Sequence, residues 1–298
     1  MKRIVTFPVS RQKENVSQRA VKVAMVTNGT DTMTGITSNR RGPVPPPLFE
    51  LSNLDAVRWL RDQPSESIDL LITDPAYESL EKHRAVGTTT RLKHSKASSN
   101  DWFRIFPNAR FGELFAEAYR VLRRNTHFYL LCDAETMFVA KPDAEQAGFK
   151  FWKPLVWDKR TIGMGYHYRA RYEFILFFEK GKRRLNDLGI SDVLSVPRVH
   201  GGYPAEKPVA VSEILIGQSS QPGDTVADPF MGSGSVGVAA LKAGRRFLGN
   251  DLNPEAVRLA AARLRELGEG TQPADPRDET PSDLIELMRP QPSQPSQQ

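Results

Sequence analysis

Residues 226–257 read VADPFMGSGSVGVAALKAGRRFLGNDLNPEAV, and their order decides the fold. A short apolar strand, Thr225–Ala227, leads into Asp228-Pro229-Phe230, and the glycine turn Gly232-Ser233-Gly234 follows at once. A Val- and Ala-rich helix over 235–243 starts directly from that turn. Glycines here tolerate positive φ and let a ligand approach the backbone closely. The helix N-terminus offers free N–H groups to an anionic group such as a carboxylate. The next strand, 246–250, ends in Asp251, where a carboxylate can accept from two ribose hydroxyls. A lone GxG is equally well a tight structural turn. Strand, acid, GxG, helix, strand and acid in this order point instead to a nucleoside-containing cofactor. No Gly-Lys-Ser/Thr follows, so the turn is not a P-loop. Gly237 falls on the third glycine of a dinucleotide fingerprint, but Asp228 would repel a pyrophosphate. An acid at that place suits a cofactor carrying an amine, which points to S-adenosyl-L-methionine.

Outward from this segment, short apolar runs alternate with amphipathic stretches from residue 48 onward, the pattern of a parallel sheet with crossover helices. Strands are predicted at 48–51, 68–73, 126–132, 149–157, 172–179, 225–227 and 246–250. Helices are predicted at about 53–61, 111–123, 134–147, 208–219, 235–243 and 254–267. The run YEFILFFE at 172–179 is apolar enough to be buried on both faces. One α/β domain over 46–266 is expected. Residues 1–45 form a disordered or loosely attached arm, and 267–298 a polar, Pro- and Gln-rich disordered tail. The connection 78–109 is too long for an ordinary crossover and reads as a mobile basic loop.

Composition narrows the chemistry. With one cysteine, Cys132, neither a disulfide framework nor a cysteine zinc site is available. The five histidines show no metal-ligand spacing, so no metal is expected. No apolar run is long enough for a signal peptide or membrane span, and a cytoplasmic, nucleoid-associated protein is expected. The net charge of +6 is concentrated in two basic clusters, 82–110 and 159–184. The second is interleaved with Trp157, Tyr166, Tyr168 and Tyr172. Each cluster could be a solvated face. Together they favour a nucleic-acid groove.

A second acid sits at a strand end, in LITDPAYESL (71–80), where Asp74-Pro75-Ala76-Tyr77 places a carboxylate and a tyrosine ring, taken as exposed, at the strand mouth. With DPAY first in the chain and Phe230-Met231-Gly232-Ser233-Gly234 late, the sequence resembles the β-class, permuted DNA amino-methyltransferases, whose motifs are Asp-Pro-Pro-Tyr and Phe-x-Gly-x-Gly. The resemblance covers about residues 50–265 and implies a Rossmann-like, mostly parallel seven-stranded sheet with one antiparallel strand. By that resemblance Asp55 lies near the cofactor's adenine and Lys207-Pro208, after Glu206, covers its methionine end. Asp228, Phe230, Gly232 and Gly234 form its cradle, Asp251 holds its ribose, and Asp74 adjoins it.

The same resemblance makes Asp74, Pro75 and Tyr77 catalytic. An exocyclic amine is a poor nucleophile because its lone pair is delocalised into the ring. Acceptors on its N–H bonds, the Asp74 carboxylate and the Pro75 carbonyl, free that lone pair for in-line attack on the sulfonium methyl. Tyr77 offers a stacking surface to a flipped base. Pro75 pushes Asp74 towards an extended conformation. Ala76 replaces a second proline that would add only rigidity. Asp at the first position is more typical of N6-adenine than of N4-cytosine enzymes. C5-cytosine chemistry would need a cysteine nucleophile, and Cys132 reads as core packing. Arg91, Lys93, Lys96, Lys159, Arg160, Arg169 and Arg171 are candidates for phosphate contacts with double-stranded DNA. The short 182–203 interval implies a short or relaxed recognition sequence. Alternatives are an N4-cytosine enzyme, an RNA substrate, or a catalytically weakened nucleic-acid-binding protein of the same fold. A homodimer is left open, and no nuclease motif is seen within the chain.

Overall fold

The computed structural model describes residues 23–25, 48–79, 104–163, 168–200 and 206–270. In chain order the elements are β1 (Val23–Met25), β2 (Phe49–Ser52), α1 (Ala56–Asp62), β3 (Ile68–Thr73), α2 (Phe111–Val121), β4 (Leu122–Cys132) and α3 (Ala134–Gln146). There follow β5 (Lys150–Asp158), β6 (Tyr172–Lys180), β7 (Val193–Ser195), α4 (Val209–Ser219), β8 (Thr225–Asp228), α5 (Ser235–Lys242), β9 (Arg246–Asn250) and α6 (Pro254–Gly270). A short 3₁₀ turn, Asn108–Arg110, precedes α2.

One nine-stranded sheet runs in the order β1-β2-β9-β8-β3-β4-β6-β5-β7. Without the short marginal strands β1 and β7, the expected seven remain, and β2, β9, β8, β3 and β4 are mutually parallel. β6 runs antiparallel to both β4 and β5. β1 lies in the segment read as a loose arm and pairs antiparallel with β2, Val23 opposite Leu51. β7 lies in the 182–203 interval, where no strand is predicted, and pairs parallel with β5.

The period-2 alternation divides the core between the two faces of the sheet. Leu70, Ile72, Tyr129 and Leu131 face α4, α5 and α6, packing against Leu215, Ala239 and Ala260. Leu71, Phe128, Leu130 and Cys132 face α1, α2 and α3, packing with Val57, Phe115 and Ala140. β6 serves both sides, with Ile175 in one cluster and Leu176 and Phe178 in the other, as its unbroken apolar run requires. Cys132 is wholly buried, a packing residue as expected, and burial pushes its thiol above the ordinary range. Among the described residues no helix is long and apolar enough to cross a membrane.

The connections fix where a ligand can bind. From β8 the chain passes through α5 to β9 on one side, and from β3 through α2 to β4 on the other. β8 and β3 are neighbours, so the strand order reverses between them. The crevice beyond their C-terminal ends is a topological switch point, where open α/β sheets bind ligands.

Candidate active site

Asp228 and Asp74 close these two adjacent strands. The Thr73 hydroxyl donates to Asp228 Oδ1 at 2.8 Å, joining the end of β3 to the end of β8. The Phe230 N–H donates to the same oxygen at 3.0 Å. Asp228 is 3% exposed, and burial pushes its carboxyl up to about 8, beyond what these two bonds recover.

The glycine turn follows. Gly232 and Gly234 both take positive φ, 50° and 81°. At Gly234 a Cβ would lie 2.9 Å from the Ala260 Cβ, so α6 packs directly on the turn. The turn is held from two sides. Asp251 Oδ2 accepts from the Gly232 N–H at 2.9 Å, and its Oδ1 accepts from the Asn253 N–H at 2.8 Å. Arg263 Nη1 donates to Ser233 O and Oγ, each at 3.0 Å, and to Glu206 Oε1 at 2.8 Å. One guanidinium thus ties the turn to the segment carrying Lys207. Wholly buried Asn250 fastens the end of β9 to Leu54 and to the Pro229 carbonyl.

A cofactor with an amine, a ribose and a carboxylate fits this edge. Asp228 and Asp251 are both acids held above the ordinary carboxylate range, chiefly by burial. The Ser235 hydroxyl, in the first turn of α5, is buried with no hydrogen-bond partner among the described residues. That orphaned group beside a glycine turn is what a ligand would satisfy. Asp55 sits further out, capping α1 through the Arg58 N–H at 3.2 Å and paired with both Arg110 amino groups at 2.7 and 2.9 Å. Its neighbour Asn53 donates to the Asp251 carbonyl at 2.8 Å, which keeps this loop on the Asp251 side.

Asp74 lies in an ionic cluster. Lys207 Nζ makes a close ion pair with Asp74 Oδ2 and stands 3.3 Å from Glu173 Oε2. Lys159 Nζ holds the other Glu173 oxygen at 2.6 Å. Burial raises the Asp74 carboxyl, and the Lys207 ammonium only partly pulls it back. Burial alone would depress Lys207, but its two carboxylates outweigh that and raise it. Burial also works against the Glu173 carboxylate, yet Lys207 and Lys159 keep it below the ordinary range.

Tyr77 differs from its sequence reading. The ring is 6% exposed and packs in the core cluster with Phe106 and Phe111, so it is not an open surface at the strand mouth. The cause is a crossing of the chain. Phe106 N donates to Ala76 O at 2.7 Å, and Tyr77 and Phe106 form a parallel bridge that turns the ring inward. Its hydroxyl reaches Asp74 Oδ1 at 3.4 Å.

The basic candidates separate. Arg91, Lys93 and Lys96 lie outside the described residues. Lys159 is engaged with Glu173 and lies 5.2 Å from the Trp157 ring centre. Arg160 donates to the Ser195 carbonyl at 2.7 Å, and Arg171 holds Asp158 through two bonds, at 2.6 and 2.7 Å. That pair brings the Asp158 carboxyl down to about 2. Arg169 is exposed beside fully exposed Tyr168. Of these cations, Lys159 and Arg171 brace the β5–β6 hairpin, and Arg160 ties the end of β5 to β7.

The sequence reading passes over Glu173, Thr73, Asn250 and Arg263. Thr73 and Asn250 left a signal, each a polar residue closing an apolar strand. Glu173 and Arg263 left none that distinguishes them from surface residues.

A switch-point crevice with a glycine turn, two buried acids and a third acid on the neighbouring strand defines a Rossmann-like group-transfer enzyme. A family model described as DNA methylase matches residues 68–262, and the chain belongs to that N6/N4 amino-methyltransferase family. It is 27% identical over 250 residues to "DNA adenine methyltransferase YhdJ" of Escherichia coli (strain K12), covering 70% of this chain and 80% of the relative. It is 26% identical over 259 residues to "Type II methyltransferase M.HpaI" of Haemophilus parainfluenzae, covering 77% and 79%. Among solved structures, the M1.HpyAVI–SAM complex superposes with a TM-score of 0.52 at 21% identity, covering 72% of this chain and 100% of that one. The cytosine-N4-specific PvuII DNA methyltransferase gives 0.57 at 15% identity, covering 74% and 90%. These two likenesses confirm the fold, and the family match makes the protein a DNA methyltransferase.

Proposed function

We propose that this protein methylates the exocyclic N6 amine of adenine in double-stranded DNA after the base has been flipped out of the helix. The observation that carries this reading is Asp74, a carboxylate at the end of β3 and one strand away from the Asp228 turn. S-adenosyl-L-methionine is the methyl donor and supplies, when bound, a methyl group already activated on sulfonium. Asp228 would hold its amine, Asp251 its ribose hydroxyls, and Lys207 with Pro208 its methionine end. Phe230 and the loop after Ser52, with Asp55, would flank its adenine.

The chain's own residues then act on the substrate amine. Asp74 accepts one N–H and Pro75 offers its carbonyl to the other, which localises the nitrogen lone pair. Burial strengthens both interactions. Tyr77, packed with Phe106, supports the Asp74 side of the site through its hydroxyl and has little ring surface open to a base.

Incubation with labelled S-adenosyl-L-methionine and DNA, followed by digestion to nucleosides, tests the reading. N6-methyladenosine in deoxy form is expected. N4-methylcytosine would move the assignment within the family, and label confined to RNA would replace the substrate. A short or relaxed recognition sequence is expected, with Arg169 and Tyr168 at the exposed hairpin tip available to the duplex. Methylation mapping on DNA containing all short contexts should show no strict site of six or more base pairs.

Asp251→Ala should weaken cofactor affinity by about 10–100-fold, because a ribose left without its charged acceptor loses ~1.5–3 kcal/mol. Calorimetric titration of the cofactor measures it, with kcat at saturation changed far less.

A further inference from the structure

Asp74 carries a problem that the reading above does not solve. One of its oxygens is in close contact with the Lys207 ammonium, and although the other oxygen keeps acceptor sites, a cation so close draws charge from the whole carboxylate and weakens it as an acceptor for a substrate amine. The same ammonium already lies 3.3 Å from Glu173 Oε2, on a side chain 21% exposed at the start of β6. Glu173 stands opposite Trp157 in the β5–β6 ladder, and its second oxygen is fixed by Lys159 at 2.6 Å.

We propose that Glu173 is a positioning residue for the reaction, sharing the Lys207 ammonium with Asp74 and receiving that cation when the Asp74 carboxylate takes up the substrate N–H. The inference rests on the amine-methylation reading of Asp74. Two carboxylates and two ammonium groups make the cluster neutral, so moving Lys207 from one acid to the other brings no ion in from water, and the Asp74 charge is left to the substrate N–H and to the positive charge that develops on the nitrogen as it is methylated. Lys159 keeps Glu173 in place through the exchange. Among the described residues the other groups that act on Asp74 are the Tyr77 hydroxyl, Asp228 on β8 and Cys132 at the end of β4; Asp228 is already held by Thr73 and the Phe230 N–H, and the acids within ion-pair distance of Lys207 are Asp74 and Glu173. Glu173 is therefore the acid among the described residues to which Lys207 can pass, since the ammonium already stands 3.3 Å from its Oε2.

The test uses the full chain with carbon-13-labelled aspartate carboxyls, Asp74 being assigned by its absence in Asp74→Asn. In Glu173→Gln the Asp74 midpoint should fall by about one pH unit, since a neighbouring negative charge has gone and Lys207 is left to Asp74 alone. In parallel, kcat should drop about ten-fold, with the acid limb of its pH profile moved the same way and cofactor Kd within about two-fold. Glu173→Asp should restore part of both. Lys207→Met, read by the titration only, should move the Asp74 midpoint upward, and it serves if the first variant folds poorly. A lowered kcat or Tm with an unmoved Asp74 midpoint would mean that Glu173 only braces the hairpin, and would overturn the proposal. An Asp74 shift in a protein that methylates no DNA would uphold the shared cation and refute the substrate reading instead.

Discussion

Asp74→Ala is expected to lower turnover by about 10²-fold or more, the cost of losing a positioned proton acceptor. Cofactor affinity should change by only a few-fold. Lys207 keeps a partner in Glu173 when Asp74 is removed, so the variant does not strand a buried ammonium. The glycine turn is anchored by Asp251 and Arg263, neither of which touches Asp74. Single-turnover kinetics with saturating cofactor and DNA isolate the step. In the wild type, burial holds the Asp74 carboxyl above its ordinary range, so activity should fall as pH drops through that raised value. An Asp74→Ala protein retaining more than about a tenth of wild-type turnover would remove Asp74 from the mechanism.

The second large effect concerns Asp228, and stability and binding should move in opposite directions. Its folded pKa of about 8 lies far above the ordinary 3.8. A raised pKa means that the folded state binds the proton more tightly than the unfolded chain. The stabilisation is complete below the unfolded value, and it is lost as pH rises towards and through the folded one. Asp228→Asn keeps an acceptor for Thr73 and for the Phe230 N–H and never has to ionise. It should therefore melt higher than wild type at pH 8, by roughly 2–4 kcal/mol or ~5–10 °C in Tm, with the difference closing towards pH 4. Cofactor binding should suffer. The amine of the cofactor needs an ionised Asp228, so in wild type affinity should climb about ten-fold per pH unit from pH 6 to pH 8. Above that it turns over as the free amine loses its own proton. In Asp228→Asn the climb should vanish and affinity at pH 8 fall by about 10²-fold. Calorimetric melting and titration across pH 5–9 measure both. A pH-independent wild-type affinity would show that Asp228 does not meet the amine.

Much of this site was legible because its chemistry sits at strand ends. Asp74, Asp228 and Asp251 each follow an apolar run, and a carboxylate cannot continue such a run into the core. Gly232 and Gly234 were legible because their conformations exclude most other residues. What stayed hidden depends on partners distant in sequence. Arg160 and Arg171 announce positive charge, but only the folded sheet shows that Ser195 on β7 and Asp158 on β5 already hold them. Tyr77 reads as an exposed ring until Phe106 crosses over it. Glu173 looks like the start of a strand, and its meeting with Lys207 exists only once β6 has paired in register with β5. β1 and β7 escaped notice for another reason, since three residues are too few to display a period.

Those two strands also bear on self-association. A long unpaired margin would invite a second copy to continue the ladder, strand against strand. Here β1 and β7 are three-residue strands, and the stretch of β5 that β7 leaves uncovered, 150–155, carries Lys150, Lys153 and Pro154. A proline and two lysines make that stretch a poor template for a neighbour. If two copies of this enzyme meet on DNA, they should meet through helices or loops, with each sheet remaining separate.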